Sequence, residues 1–571
     1  MNQAQPMQQF MLVTYEDVYM DSVNAVNPSA LLYDVPVGGA MAWMALLSKQ
    51  VTYAFSDTEM QYKIALSWSI GLTEKERFRF VDFLLNHQAL LITPYTTFMF
   101  YALVSQYGND KVIRQINEND IPKLVKAYLY CNNLYIQKQN TELASATDRN
   151  ALLMKVDIIL AEYKLPKHFV VQLHKAALFF EFCEQDKKYK TYVDLFCQSW
   201  GIQNWSVYIL ALFNIYTSVI SNFQICPPSY LAKKIMDKYT FPLGAAETKV
   251  LWNGADTSIK YFRDHFLLKN TQNGYIILNE ILLVDKIYQG LLFDIAKVLQ
   301  VNGIKDEKGK DVNFGSLKSE IGLPFSEKYL CYDLLGNIFN NQCDIQIKGE
   351  EMDAKKVPAP SDYYVRKGNT LFIFECKDIL LTEDITHINN MEDLKKEIFI
   401  NICYDGPDPK KPSKTLHKGF GQLLNSIDLL VNHSSMDELD NGVSEIKEIY
   451  PIVLVVSDKS YSALGINGLV NEEFNNIIKA KSYNFKDVVI KSPIIVDYES
   501  LLRMGRRLHE GIISFKQLLD GYLSNFAGWP NSSFISYCQD FYLLKQAIED
   551  NEKDTQYMIL DQLNQIIPHD I

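Results

Sequence analysis

From about Gly39 to Asp237 apolar residues recur at three- and four-residue spacing, which predicts helices almost throughout. Thr73-Glu74-Lys75-Glu76 reads as a capping box ahead of Phe78, Phe80, Val81, Phe83 and Leu84. Tyr95–Tyr107, Ile121–Ile136, Ala151–Tyr163 and Phe169–Glu184 continue the pattern. Gly108, Pro122, Pro166, Gly201 and Pro227-Pro228 punctuate it. The most apolar stretch, Val207 to Phe223, is interrupted by Asn214, Thr217 and Ser218, so it predicts a buried helix and not a membrane span. No fixed-period repeat stands out.

The texture changes after Lys260. His265–Lys269 and Gly274–Leu278 predict a hairpin, and Glu280–Leu299 a helix. The charged, glycine-rich segment Gly303 to Gly315 marks the main boundary. Beyond it, a helix is predicted over Ser326–Phe339 with Ser326 as its cap, then a short strand at Asp344–Lys348. Two extended runs, Asp362–Lys367 and Thr370–Lys377, lead into acidic and basic loop segments and a helix at His417–Val431. Strands at Tyr450–Ser457 and Val488–Val496 precede helices at Tyr498–Leu508 and Ser514–Asn525. The expected fold is an α-helical N-terminal half plus an α/β C-terminal domain, a mixed sheet flanked by helices. The expected divisions are a helical domain over 1–255 for sensing, scaffolding or docking, a hairpin, helix and linker over 256–315, and the α/β domain over 316–571.

Composition narrows the class. Of 571 residues, 48% are hydrophobic and 22% charged, which excludes disorder for the bulk of the chain. Lys and Arg number 56 against 68 Asp and Glu, a formal charge of −12. A polyanion would therefore have to be held by a local basic patch against an unfavourable overall field. The nine cysteines include no CxxC pair and mostly sit in apolar runs, so they read as reduced core thiols. Met1 to Met11 has no basic residue and no long apolar run, so a secretory signal is not expected and a cytoplasmic location is.

Candidate chemistry is concentrated between Pro358 and Lys377. Four apolar residues, Leu371 to Phe374, run straight into Glu375-Cys376-Lys377, as in a buried strand with a polar end. Residues two apart on a strand share a face, so Glu375 and Lys377 project together. Gly368-Asn369 is a favoured two-residue hairpin loop. If it forms the turn, Lys367 pairs with Thr370, and Asp362 stands opposite Glu375, their Cβ atoms ~4.5–5.5 Å apart. Two carboxylates so close repel unless a cation or proton lies between them, and hard oxygen donors suit Mg²⁺ or Mn²⁺. Lys377 alongside could orient or help deprotonate a metal-bound water and stabilise charge on a phosphoryl oxygen.

This arrangement resembles the PD-(D/E)xK nuclease superfamily, whose fold is restriction-endonuclease-like. The resemblance covers roughly 325–525. It implies that Asp362 and Glu375 hold the metal, that the carbonyl of Cys376 adds a ligand, and that Lys377 serves catalysis. It also implies an acid on the preceding helix, Glu327 or else Asp333, and a polar residue on the following helix, Gln422. The proline stands one position further from the acid than in the family pattern, and about forty residues separate Lys377 from the Gln422 helix.

Substrate contacts need positive charge. Lys410, Lys411, Lys414, His417 and Lys418 adjoin the site in sequence and are the first candidates for gripping phosphates. Arg503, Arg506 and Arg507 are the second. Walker A spacing, a dinucleotide fingerprint, HExxH, GxSxG and Cys/His ligand clusters are all missing. The expectation is a metal-dependent nuclease acting on double-stranded DNA, without an NTP motor of its own. Its helical half would bind a protein partner or a second copy, with no membrane attachment. Restriction or anti-phage defence is implied by the resemblance alone. The alternatives are an inactive nuclease-like module that binds nucleic acid or protein, and a helical interaction protein with a merely structural C-terminal half.

Overall fold

A computed structural model describes residues 11–540 except 53–57, 88, 146–150, 152–153, 159–166, 223, 258, 271–273, 307, 380–387, 389, 401, 409–410, 434–435, 457–460, 462, 464, 486 and 529–532. The chain divides into two compact units: one is built from 3–145 and 202–287, the other from 146–201 and 288–571. The sequence places its divisions at 255 and 315. The units instead assign the helices of 146–201 to the C-terminal body, a pairing between segments too distant in sequence for periodicity to register.

The first unit is helical, with a small antiparallel sheet of β1 (Gln224–Ile225), β2 (Leu267–Lys269) and β3 (Tyr275–Ile277) in the order β1-β3-β2. The expected capping box forms: Glu76 N–H donates to Thr73 Oγ1 at 3.4 Å and Thr73 N–H to Glu76 Oε2 at 2.9 Å. Helix Pro94–Tyr107 is buried along its length from Thr96 to Ser105 and forms the centre of this body. Its Phe100 meets Trp43 and Tyr128, while Trp68 stacks on Trp43 and meets Tyr128 edge to face. The predicted helix over Glu280–Leu299 breaks at Tyr288 into Glu280–Ile287 and Gln289–Val301, where the chain passes from one unit to the other. Among the described residues no helix is long and apolar enough to cross a membrane.

The second unit holds a mixed sheet. Its strands are β4 (Ile345–Lys348), β5 (Tyr363–Lys367), β6 (Thr370–Lys377), β9 (Glu448–Val455), β10 (Val489–Ile490) and β11 (Ile494–Asp497). The order is β10-β9-β6-β5-β4, with β11 also on β9. β4, β5 and β6 form an antiparallel meander, whereas β6, β10 and β11 all run parallel to β9. β6 is buried at all eight positions. On one face Leu371 and Ile373 pack against helices Met391–Phe399, Phe420–His433 and Ile466–Lys481. On the other, Phe372 and Phe374 meet Phe339 and Phe515. Burial on both faces is why this strand reads as an apolar run without alternation.

Several expectations are corrected. Ser326 does not cap a helix: helical backbone runs from Phe314 to Phe339, started by the Asn313–Ser316 capping box. Its middle, Gly322–Leu330, is π-helical. Pro324, which has no N–H to give to the regular ladder, lies in that turn. The loop segments after Lys377 contain helix Met391–Phe399 and a hairpin of β7 (Tyr404–Asp408) and β8 (Lys411–His417). The run Val488–Val496 is split into β10 and β11 just before and after Pro493. Asn467 bridges there, donating to Pro493 O at 3.2 Å and accepting from Ile495 N–H at 3.0 Å.

The β5–β6 register is the one the Gly368-Asn369 turn requires, with Lys367 opposite Thr370 and Tyr363 opposite Phe374. Gly368 has φ +57°, the left-handed geometry such a turn needs. The turn end is pinned from outside. Arg366 forks onto Asp440, Nε to Oδ2 at 2.7 Å and Nη2 to Oδ1 at 2.8 Å, and Tyr364 Oη donates to the same carboxylate at 2.7 Å. The Asp440 side chain is 1% exposed, so its removal strips a nearly buried guanidinium of its two shortest bonds and leaves it Asp344 and the Gly368 carbonyl, each at 3.2 Å. Asp440→Ala is expected to cost about 3 kcal/mol in a denaturant titration, the usual penalty for breaking a buried pair. A loss under about 1 kcal/mol would show that the pin is dispensable.

Candidate active site

The opposite end of the hairpin carries the acids. Asp362 directly precedes β5, and Glu375 and Lys377 end β6. The paired register ends at Tyr363 and Phe374, short of the expected Asp362–Glu375 pair, and the ladder slips by one residue: Asp362 N–H donates to Phe374 O at 3.0 Å, while its Oδ2 accepts from Cys376 N–H at 2.7 Å. The Cys376 N–H thus faces the β5 side. On a strand the carbonyl of the same residue faces that way too, beyond the end of the partner strand. Pro360 has no N–H with which to extend the ladder to it.

Lys377 Nζ donates to Glu375 Oε1 at 2.6 Å. The two residues are only 1% (Glu375) and 6% (Lys377) exposed. Glu375 Oε2 is fully buried and has no hydrogen-bond partner. Glu327, on the π-helical turn, accepts from Asp378 N–H at 3.4 Å and is close enough to act electrostatically on Lys377 and Glu375. Burial pushes the Glu375 carboxyl well above its ordinary range and Asp362 raises it further, against the opposing pull of Lys377. Burial likewise raises Asp362 and Glu327, again against Lys377. For Lys377 burial acts downward, but Glu375, Asp362 and Glu327 outweigh it and hold the amine in its charged form.

Three acids therefore share one ammonium. Among the described residues no three His, Cys, Asp or Glu side chains already form a metal cage. At this site the lysine stands among the acids. The donor set nevertheless fits a hard divalent ion: carboxylate oxygens, one of them buried and unsatisfied, beside the strand-end carbonyl of Cys376. Asp362, Glu375, Glu327 and the Cys376 carbonyl are the residues that could hold it.

The remaining predicted residues fall into place differently. Asp333 stands apart: it is exposed and accepts from Asn337 Nδ2 at 3.2 Å. Gln422 reaches the acid-bearing loop and not the acids, its Nε2 donating to Pro360 O at 3.3 Å. One turn on, Ser426 Oγ donates to Ala359 O at 2.6 Å, so this helix shapes the loop that delivers Asp362. Lys418 precedes the same helix. Lys410 lies outside the described residues, and so do the side chains of Lys411 and Lys414. On helix Tyr498–His509, Arg506 pairs with Glu510 at 2.8 Å.

Sequence reasoning missed the layer behind the motif. Asp378 is bound by Lys318 Nζ and by Ser326 Oγ, each at 2.6 Å. Buried Lys175 donates to Val456 O at 2.7 Å, and Val456 N–H donates to Lys377 O at 2.9 Å. Burial pulls the Lys175 amine down to about 7, its charge partly offset by Asp378. An acid immediately after Glu-x-Lys was the available signal for Asp378. Nothing local announced Lys175.

No family model, curated protein or solved structure matches this chain.

An acid whose folded pKa is raised binds its proton more tightly folded than unfolded. Its contribution to stability therefore falls as pH climbs from the ordinary carboxylate range, about 4, through the raised value. In EDTA the melting temperature of wild type relative to Glu375→Gln is expected to fall as the pH rises above the ordinary carboxylate range. Millimolar Mg²⁺ should restore wild type and leave the variant nearly unmoved. A difference independent of pH would contradict the acid cluster.

Proposed function

We propose that the protein is a metal-dependent nuclease hydrolysing phosphodiester bonds, most simply of DNA, and that its second unit is a restriction-endonuclease-like domain. The observation that carries this is that Asp362, Glu375 and Glu327 lie close enough to act together on Lys377 at the end of a hairpin, with Glu375 Oε2 left buried and unsatisfied. The resemblance to PD-(D/E)xK nucleases supports the same reading.

Asp362 and Glu375, with the Cys376 carbonyl and Glu327, would hold Mg²⁺ or Mn²⁺. Such an ion supplies Lewis acidity toward a phosphoryl oxygen and a water of lowered pKa. Lys377, kept charged by its acidic neighbours, is suited to stabilising negative charge on the phosphoryl group and not to taking a proton. Gln422 and Ser426 hold the loop from which Asp362 projects. The Lys410, Lys411, Lys414 and Lys418 run would contact phosphates. The helical first unit would serve a protein partner or a second copy. A cytoplasmic location fits the nine free cysteines. A role in restriction or anti-phage defence extends the same proposal.

Plasmid DNA with Mg²⁺ is the direct test. Wild type is expected to cut it and EDTA to abolish cutting, while Lys377→Ala should lower the rate by about 10²–10³. Asp362→Asn should fail likewise. Equal cleavage by wild type and Lys377→Ala would reject the site. Retention of DNA by wild type with no cleavage and no dependence on metal would favour an inactive binding module.

A further inference from the structure

A cleft of about 920 Å³ opens beside the acid cluster, within the second unit. It runs between the helical segment from Leu323 to Asn337 and the edge strand β4, and reaches Tyr363, the residue after Asp362. Lys328 and Tyr332, both on its wall, are close enough to interact with Asp362. The candidate active site and the cleft are thus neighbours.

The lining has a definite chemistry. Phe182 and Tyr329 are half-buried and touch edge to face at 5.6 Å, and both rest on buried Phe325, at 5.4 and 6.0 Å. Two amides line the cleft. Gln346 uses Oε1 for the Tyr363 hydroxyl at 3.0 Å, and Asn337 uses Nδ2 for Asp333, leaving an amide N–H₂ and an amide carbonyl. Charge is close to balanced: Lys328 pairs with Glu350 at 3.0 Å, and Lys348 lies over the Tyr332 ring, against Asp333 and Glu351. A wall like this has no net positive charge to draw a naked phosphate chain but suits a flat, uncharged heteroaromatic ring. Aromatic faces take the ring by stacking, and amides read its edge.

We propose that this cleft binds an unpaired nucleobase of the strand whose phosphate lies at the acids. The preferred substrate then has a base free of its partner, as in a single strand, a strand end or the locally opened duplex of a supercoiled plasmid. The proposal rests on the hydrolytic reading above for its placement, but its test does not require hydrolysis.

The test is fluorescence anisotropy in EDTA, using the full chain and a short labelled oligonucleotide as single-stranded DNA, single-stranded RNA and blunt DNA duplex. Wild type is expected to bind a single strand more tightly than the duplex, and the DNA and RNA arms identify which strand it takes. Tyr329→Ala should weaken single-strand binding by about tenfold or more, while Tyr329→Phe, which keeps the ring, should bind as wild type. Phe182→Leu, on the same wall, should weaken it in the same direction, and thermal melts confirm that each variant is folded. Single-strand binding that is undetectable, no tighter than duplex binding, or unchanged in Tyr329→Ala and Phe182→Leu would overturn the pocket. Ring-dependent binding without cleavage of any DNA by wild type would support the pocket and count against the hydrolytic reading alone.

Discussion

The arrangement of the second unit depends on a strand that is apolar for most of its length and ionic at one end. β6 is covered on both faces, which suits Leu371 to Phe374 but leaves Glu375 and Lys377 nearly without water. Bringing a carboxylate and an ammonium into such a place costs more than packing two apolar side chains there. The 2.6 Å bond between them recovers part of that cost and does nothing for the second carboxylate oxygen. Asp362 and Glu327 add negative charge where a purely structural solution would remove it. Groups that strain the fold in this way concentrate where chemistry is done.

What surrounds the motif acts to hold that strained end still. At one end of the hairpin Asp440 gathers Arg366 and Tyr364. At the other, helix Phe420–His433 grips the backbone of Ala359 and Pro360, and Lys318 and Ser326 fix Asp378 just past Lys377. The hairpin is therefore held at both ends by side chains from three separate segments, so the acids are carried by a scaffold and not by a mobile loop.

Features set by neighbours in sequence were legible in advance. A two-residue turn with glycine fixes register, so the pairing of Lys367 with Thr370 followed from Gly368-Asn369 alone. Four apolar residues before Glu375 showed a buried strand. Features set by distant partners were not legible. Ser326 looked like a helix cap because serine commonly caps, yet its hydroxyl is taken by Asp378, 52 residues away. The segment from Tyr404 to His417 is polar, with three prolines, and carries no apolar alternation, so its hairpin was invisible. Gln422 was rightly placed near the motif, but its partner is a backbone carbonyl that no spacing rule reveals.

The interleaved path of the chain has a consequence for its synthesis. Helix Phe169–Glu184 leaves the ribosome long before Phe325 and Tyr329, the rings that cover its Phe182 side chain, have been made. The first unit is likewise completed only when 202–287 follows the intervening segment. Neither body can finish as its own N-terminal part emerges, so nascent chains must carry bare aromatic surface while translation proceeds. A fragment begun at residue 288 would inherit the same nakedness permanently.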